Sequence, residues 1–368
     1  MLHTCERANL AERLLSPVLS SVPNGGEGDG GPGADCTSFH KDCSVGLIEF
    51  FHPPRQPVPT CVIFNPTARG DKARHFREHL ARLAPDCVFK PTDCAGAAMR
   101  LASEAVAEGF DTVVAAGGDG TVNEVVTGIA RAPDGLRRAR LAILPLGTIN
   151  VIARELRIPL ALKSAWNVVA TGSERVVDLA EMEFAGAHGR ERRSVVQLAG
   201  AGLDARAIEL VSWSLKKKFG PLAYFWAGVR AMRERHPAIT VSRGGAANSG
   251  IAEVNASQRA ELVLIGSGQF YGGSLRVFPQ ARMDDGQFDL CLIERVTWLA
   301  LLRFVWGMAT GRLERQTGFS HWQSAGFTMA SEERVPLEIE GDAVGHLPAT
   351  CRVLPRALRI LAPASAAR

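Results

Sequence analysis

Apolar positions in the first half of the chain fall into short β-branched runs separated by stretches with helical spacing. Residues 112–116 (Thr-Val-Val-Ala-Ala) form a continuous apolar run, the pattern of a strand buried on both faces. After it, Val122, Val125, Val126 and Ile129 recur at three- and four-residue intervals, which predicts a helix. Residues 61–64, 87–90 and 141–144 read as further strands, and 72–83 and 95–108 as helices. Strands alternating with helices imply a parallel, doubly wound sheet. From about Arg175 the texture changes. Short strand-like runs at 176–179, 194–198, 238–242, 261–265, 288–293, 327–330 and 335–339 are separated by turns and glycines, which predicts an antiparallel all-β unit. A helical insert is expected over 203–232, broken near Gly220-Pro221, with a short helix over 296–308. Residues 351–361 alternate as a last strand, returning to one of the two sheets.

The chemistry concentrates where strand 112–116 meets its helix. Gly117, Gly118, Asp119 and Gly120 make the turn, and Thr121, Val122 and Asn123 open the helix. Backbone N–H groups and the positive helix end together suit a phosphate. Glycines there let the backbone approach the ligand and take φ > 0 where needed. A carboxylate beside phosphates repels them unless a cation lies between, so Asp119 points to Mg²⁺, which takes one or two carboxylates plus phosphate oxygens. By itself the glycine pattern also reads as an ordinary βα turn. Three other polar turns strengthen the ligand reading: Asn65, Thr92 and the segment Gly147-Thr148-Ile149-Asn150 also follow strands of the same expected sheet. Ligands of such sheets bind beyond the strands' carboxyl ends.

At 368 residues the chain is long enough for two domains with their own cores. A net charge of +4 gives no global nucleic-acid signal. The eight cysteines form no CxxC pair and are expected as reduced thiols in a cytoplasmic protein. No signal-peptide pattern or long apolar run is visible. The histidines show no ligand spacing, and the serines lack a nucleophile-elbow context.

Six stretches together resemble the diacylglycerol kinase catalytic-domain superfamily, in particular its soluble bacterial lipid kinases. They are residues 117–124 (Gly-Gly-Asp-Gly-Thr-Val-Asn-Glu), 145–150 (Pro-Leu-Gly-Thr-Ile-Asn), 200–205 (Gly-Ala-Gly-Leu-Asp-Ala) and 219–224 (Phe-Gly-Pro-Leu-Ala-Tyr). Tyr271-Gly272-Gly273 with 279–286, and Glu340-Gly341-Asp342, complete the set. The likeness covers about 60–363 in the family's order. It implies a nucleotide-binding α/β domain over 59–175, similar to that of NAD kinases, and a β-sandwich lipid domain over 176–350. The strand 351–363 would return to the first domain, and 1–58 would be a disordered extension. The implied activity is ATP-dependent phosphorylation of a lipid hydroxyl, with Mg²⁺, at the membrane surface. Peripheral contact with the inner membrane face and a homodimer both remain open.

Carried over by position, the resemblance assigns ATP contacts to Asn65, Thr92, Gly117, Gly118, Asp119, Gly120, Thr121, Val122, Asn123 and Thr148. The family's closing motif is Asp-Gly-Glu, whose first acid resembles a general base. Here the acids are exchanged, so Glu340 stands at the base position and Asp342 at the other, with Asp119 facing metal and phosphate as the third catalytic acid. Val151 stands where the family commonly has Asp. Asp285 matches a structural Mg²⁺ ligand, with the carbonyls of Arg282 and Gln287 as partners; the same residues read equally as a hairpin turn. Glu340 likewise reads as a polar hairpin tip. Two other functional readings follow: a nucleotide- or lipid-binding protein with a degraded kinase site, motivated by Glu340 and Val151, and an NAD kinase sharing the Gly-Gly-Asp-Gly-Thr turn. Lys216-Lys217-Lys218 beside Trp213 and Phe219, and Trp298, Arg303, Phe304 and Trp306, could face lipid, but a solvated face or core packing is the favoured reading of both groups.

Overall fold

The computed structural model describes residues 60–66, 82, 85–211, 221–244 and 256–364. The expected extension 1–58, nearly all of the expected helix 72–83, and Trp213, Lys216-Lys217-Lys218 and Phe219 lie outside the described residues.

The first lobe is a parallel sheet built from β1 (Thr60–Phe64), β2 (Val88–Pro91), β3 (Thr112–Gly117) and β4 (Arg140–Pro145), in the order β2-β1-β3-β4. Every residue of β3 is buried, as its unbroken apolar run requires. Helix α1 (Ala97–Ala107) precedes β3 and α2 (Asp119–Arg131) follows it. The two helices cross closely. A Cβ on Gly128 of α2 would overlap the Met99 carbonyl of α1, so only glycine permits this approach. Glu124 of α2 fixes the crossing further, accepting hydrogen bonds from the backbone N–H groups of Gly96 (2.9 Å) and Ala98 (3.1 Å) at the start of α1. A single helical turn, Gly135–Arg138, leads into β4, and α3 (Val151–Glu155) and α4 (Leu162–Thr171) follow it.

The second lobe is antiparallel. Strands β5 (Ser173–Gly186) and β6 (Gly189–Val195) form a hairpin, and β7 (Leu198–Gly202) then enters the sheet. Helices α5 (Leu203–Leu210) and α6 (Pro221–Ala231) lead to β8 (Ile239–Arg243), β9 (Ser257–Ala260) and β10 (Leu262–Gly266). A two-stranded ribbon of β11 (Phe270–Tyr271) and β12 (Leu275–Arg276) precedes β13 (Phe288–Ile293). Then come α7 (Trp298–Thr310), β14 (Phe319–Ser324), β15 (Gly326–Ala330), β16 (Pro336–Ile339) and β17 (Asp342–Ala362). The architecture is thus a doubly wound α/β unit followed by an antiparallel β-sandwich.

The lobes share strands. β17 runs antiparallel to β5 from His346–Ala185 to Ala362–Ser173, and its last turns meet β4 in parallel at Ile360–Leu141. Residues 175–176 and 350–351 therefore lie inside continuous strands. Three side-chain bonds tie α2 to β6: Asn123 Nδ2 donates to the Ser194 carbonyl (2.6 Å), Ser194 N–H to Thr127 Oγ1 (3.3 Å), and Arg131 to the Arg192 carbonyl (2.8 Å).

Several elements differ from the sequence reading, which has no counterpart for α3, α4, β9 or the β11–β12 ribbon. The run 194–198 is not one strand but the junction of β6 and β7, because the N–H groups of Val196, Gln197 and Leu198 turn toward a side chain. β14 was not anticipated: its Ser-His-Trp-Gln-Ser core is polar and only partly buried. The first half of β17 was also missed. Its pairing with β5 shifts register between His346 and Ala349, at Pro348, and between Leu354 and Leu358, at Pro355, so no single alternation runs along it.

Candidate active site

Beyond the carboxyl ends of β1 to β4, and against β7 and β16, lies a cleft of about 890 Å³. Of the residues assigned by sequence, Asn65, Thr92, Gly118, Asp119, Gly120, Thr121, Thr148, Glu340 and Asp342 line it. Gly117, Val122 and Asn123 do not. Gly117 closes β3, Val122 is buried in the first-lobe core, and Asn123 is spent on the Ser194 carbonyl.

The glycines serve close approach. Gly117, Gly118 and Gly120 all avoid positive φ, contrary to the conformational use expected of them. Instead, a Cβ on Gly117 would overlap the Thr121 side chain. On Gly120 it would lie 2.5 Å from Asp342 Oδ2. The turn after β3 also touches the turn after β4. Leu146 and Gly147 N–H groups both donate to the Gly117 carbonyl, at 2.8 and 3.2 Å. Asn150, in the left-handed region at φ 54°, closes that second turn: its side chain accepts from Gly147 N–H (2.9 Å) and donates to the Gly147 carbonyl (2.8 Å).

Asp119 begins α2 and also receives the Ile152 N–H at 3.3 Å, from the first turn of α3. Burial raises its carboxyl above the usual range, opposed by backbone amides of residues 150–152. Val151 is buried beside it and joins the apolar cluster of the second lobe.

Glu340 and Gly341 are the two residues between β16 and β17. Both have positive φ (52° and 82°), the geometry of a tight two-residue hairpin turn. The hairpin tip is nevertheless buried. Glu340 is 4% exposed, and its Oε1 accepts from Val196 (2.9 Å), Gln197 (2.7 Å) and Leu198 (3.3 Å) N–H groups. Oε2 has no hydrogen-bond partner among the described residues. Burial dominates the three amides, and the nearby Asp119 charge adds to it, so the carboxyl is pushed up to about 8.

A second acidic group stands beside it. Glu338, two residues earlier and within β16, is fully buried. Tyr271 Oη lies 2.9 Å from Glu338 Oε1 and 2.6 Å from Asp204 Oδ2. One hydroxyl proton cannot satisfy two carboxylates, so the trio coheres when one carboxyl is protonated. Loss of water raises both acids, and each raises the other or the tyrosine by its charge. Gly200 makes the room: a Cβ there would sit 2.7 Å from Tyr271 Oη. Glu338, Tyr271, Asp204 and Glu124 all line the cleft, and no role was assigned to any of them from sequence. The detectable signal for Glu338 was a charged residue inside the apolar run Leu337-Glu338-Ile339, in phase with Glu340.

Asp285, Arg282 and Gln287 lie outside this cleft. Asp285 Oδ1 accepts from Gln287 N–H (3.0 Å), Arg282 pairs with Asp284 (3.2 Å), and the turn is anchored by Asp178, which accepts from Gly286 (2.7 Å) and Arg356 (2.7 Å) N–H groups. Among the described residues no group of three His, Cys, Asp or Glu side chains is placed to hold a metal ion.

Comparison with known proteins fits this geometry. A family model described as the diacylglycerol kinase catalytic domain matches residues 59–182, and one described as the YegS C-terminal NAD kinase beta sandwich-like domain matches 197–362. Between them the two matches span most of the described residues, in the order that the diacylglycerol kinase catalytic-domain likeness implies. Diacylglycerol kinases of Staphylococcus aureus strains bovine RF122 / ET3-1 and MRSA252 are each 27% identical over 314 residues, covering 82% of this chain and 91% of the relative. The crystal structure of a diacylglycerol kinase from Bacillus anthracis superposes with a TM-score of 0.63 at 22% identity. It covers 84% of this chain and 99% of that one, a likeness of fold. These likenesses make the chain an ATP-dependent lipid kinase, a phosphotransferase with an alcohol group as acceptor.

Proposed function

We propose that the chain transfers the γ-phosphate of Mg-ATP to the hydroxyl of diacylglycerol or a related lipid alcohol, with Glu340 as the base. The observation that carries this reading is the buried Glu340 side chain. One oxygen is held by three backbone amides and the other is unpartnered, in a cleft shared with the Gly118–Thr121 turn.

The nucleotide phosphates would lie against the N-terminal turn of α2, whose Gly118 to Thr121 backbone admits close approach. The donor set fits a Mg²⁺ that arrives with the nucleotide rather than one held by protein alone. Asp119 and Asp342 flank that turn, and Mg²⁺ takes one or two carboxylates plus phosphate oxygens. Bound there, the ion would neutralise phosphate charge. Phosphoryl transfer asks mainly for positioning and charge stabilisation, so the protein's part is to hold the acceptor hydroxyl in line and take its proton. Glu340 Oε1 is locked, which leaves Oε2 to accept that proton. A carboxyl near 8 is a stronger base than an exposed one once ionised. The extra methylene of Glu340, relative to the Asp of the family pattern, is taken up by the left-handed turn that draws the carboxyl back under the 196–198 amides.

The test is turnover with γ-labelled ATP and mixed micelles of candidate lipids. Lipid-extractable label that disappears in Asp119→Ala supports the reading; undiminished turnover in that variant refutes it.

A further inference from the structure

Helix α7 has the composition of a buried helix at a surface position. Its thirteen residues, Trp-Leu-Ala-Leu-Leu-Arg-Phe-Val-Trp-Gly-Met-Ala-Thr, contain one charge, Arg303, and no acid. One side is anchored. Ala300, Phe304 and Met308 pack on the apolar cluster of the second lobe, and Phe304 stacks on Phe319 with ring centroids 6.2 Å apart. Gly307 lets the helix press on Leu313, whose Cα would lie 2.8 Å from a Cβ at that position. The other side carries Trp298, Leu299, Leu302, Val305 and Trp306, all exposed; Leu302 is 67% and Trp306 65% accessible. Scattered exposed apolar residues are ordinary, but a contiguous set on one helix marks an interaction surface.

We propose that this face of α7 docks the enzyme on an anionic lipid surface. The inference rests on the lipid-kinase reading, since that substrate resides in a bilayer. Three observations select lipid as the occupant. Exposed cations gather at the helix: Arg303 lies on it, and Arg295, Arg312 and Arg315 lie in the segments that lead into and out of it, against the acids Glu294 and Glu314. Flanking cations and two tryptophans on an apolar helix are the pattern of a helix lying in the headgroup boundary. The anchored side of α7 also belongs to the same packed cluster as Val151, Leu198 and Tyr271, which line the cleft, so a docked helix is one packed layer from the site. No helix among the described residues is long and apolar enough to cross a membrane, so an in-plane contact is the mode the helix permits.

The experiment is co-sedimentation of the full chain with phosphatidylcholine vesicles, with and without phosphatidylglycerol. Turnover is measured in parallel on a short-chain diacylglycerol in detergent micelles. Wild type is expected to bind the phosphatidylglycerol vesicles more tightly. The double variant Leu302→Glu/Trp306→Glu should lose about ten-fold or more of that binding. Arg303→Glu should lose the preference for anionic lipid while keeping the fold. Micellar turnover should persist in all three. Vesicle binding unchanged in the double variant overturns the proposal. So does a wild-type dimer that the double variant converts to monomer with vesicle binding intact, because the face would then be an interface between copies. Vesicle binding that depends on α7, with no turnover on any lipid, would support docking and refute the kinase reading instead.

Discussion

Replacing Glu340 with Gln tests the site through stability as well as rate. In the folded chain this carboxyl is pushed up to about 8, against an ordinary value near 4.5. At about 1.36 kcal/mol per unit, the ionised form is disfavoured by roughly 5 kcal/mol relative to the unfolded chain. The folded state holds the proton where the unfolded chain has released it. The stabilisation is therefore complete below about 4.5 and is lost as pH rises toward about 8. Gln mimics the neutral acid: its carbonyl can still accept from the 196–198 amides. Urea unfolding at pH 5, 7 and 9 should show wild type losing stability steeply over this range while Glu340→Gln loses much less. At pH 9 the variant should be the more stable protein. Turnover should fall by roughly 10²–10⁴, the share carried by a positioned base, and wild-type kcat/KM should rise with pH through about 8. Parallel stability curves for the two proteins would refute the claim that this carboxyl is buried and neutral. Retained turnover would refute its role as base.

Three further substitutions separate the parts of the cleft. Gly147→Ala puts a Cβ 2.5 Å from Gly118 Cα and should force the two turns apart, raising KM for ATP by about ten-fold or more; unchanged KM would contradict the close-packed turns. Tyr271→Phe removes the hydroxyl shared by Asp204 and Glu338, and should destabilise the fold by about 1–3 kcal/mol, more at pH 8 than at pH 5; a pH-independent loss would count against a shared proton. Asn123→Ala should cost about 1–3 kcal/mol in unfolding because the buried Ser194 carbonyl loses its donor, with ATP affinity within two-fold of wild type; a large loss of nucleotide affinity would return Asn123 to the binding site.

The parallel half of the fold was legible because its signals are local. The apolar run that becomes β3, the helical spacing of α2 and the polar turns at the strand ends each lie within a few residues of one another. What stayed hidden depends on distant partners. Asn123 sits in a ligand-like motif, yet its amide meets a carbonyl 71 positions away. The Asp204–Tyr271–Glu338 group comes from three separate stretches, and no spacing rule links them. Of the turn's glycines, Gly118 and Gly120 line the cleft, and what they supply is room for Gly147 and Asp342, which only the fold brings near. β17 was half visible: residues 351–361 alternate on their own, whereas the earlier half is a strand through its pairing with β5, β15 and β16.

The most direct test of the central claim is a transfer assay with γ-labelled ATP, purified full chain and micelles of diacylglycerol and sphingoid-base lipids, with and without Mg²⁺. The predicted result is Mg²⁺-dependent label in the lipid extract, abolished by Asp119→Ala and strongly reduced by Glu340→Gln. ATP binding with no labelled product from any lipid would contradict it, and would identify a nucleotide-binding protein whose exchanged Glu340 and apolar Val151 no longer support transfer.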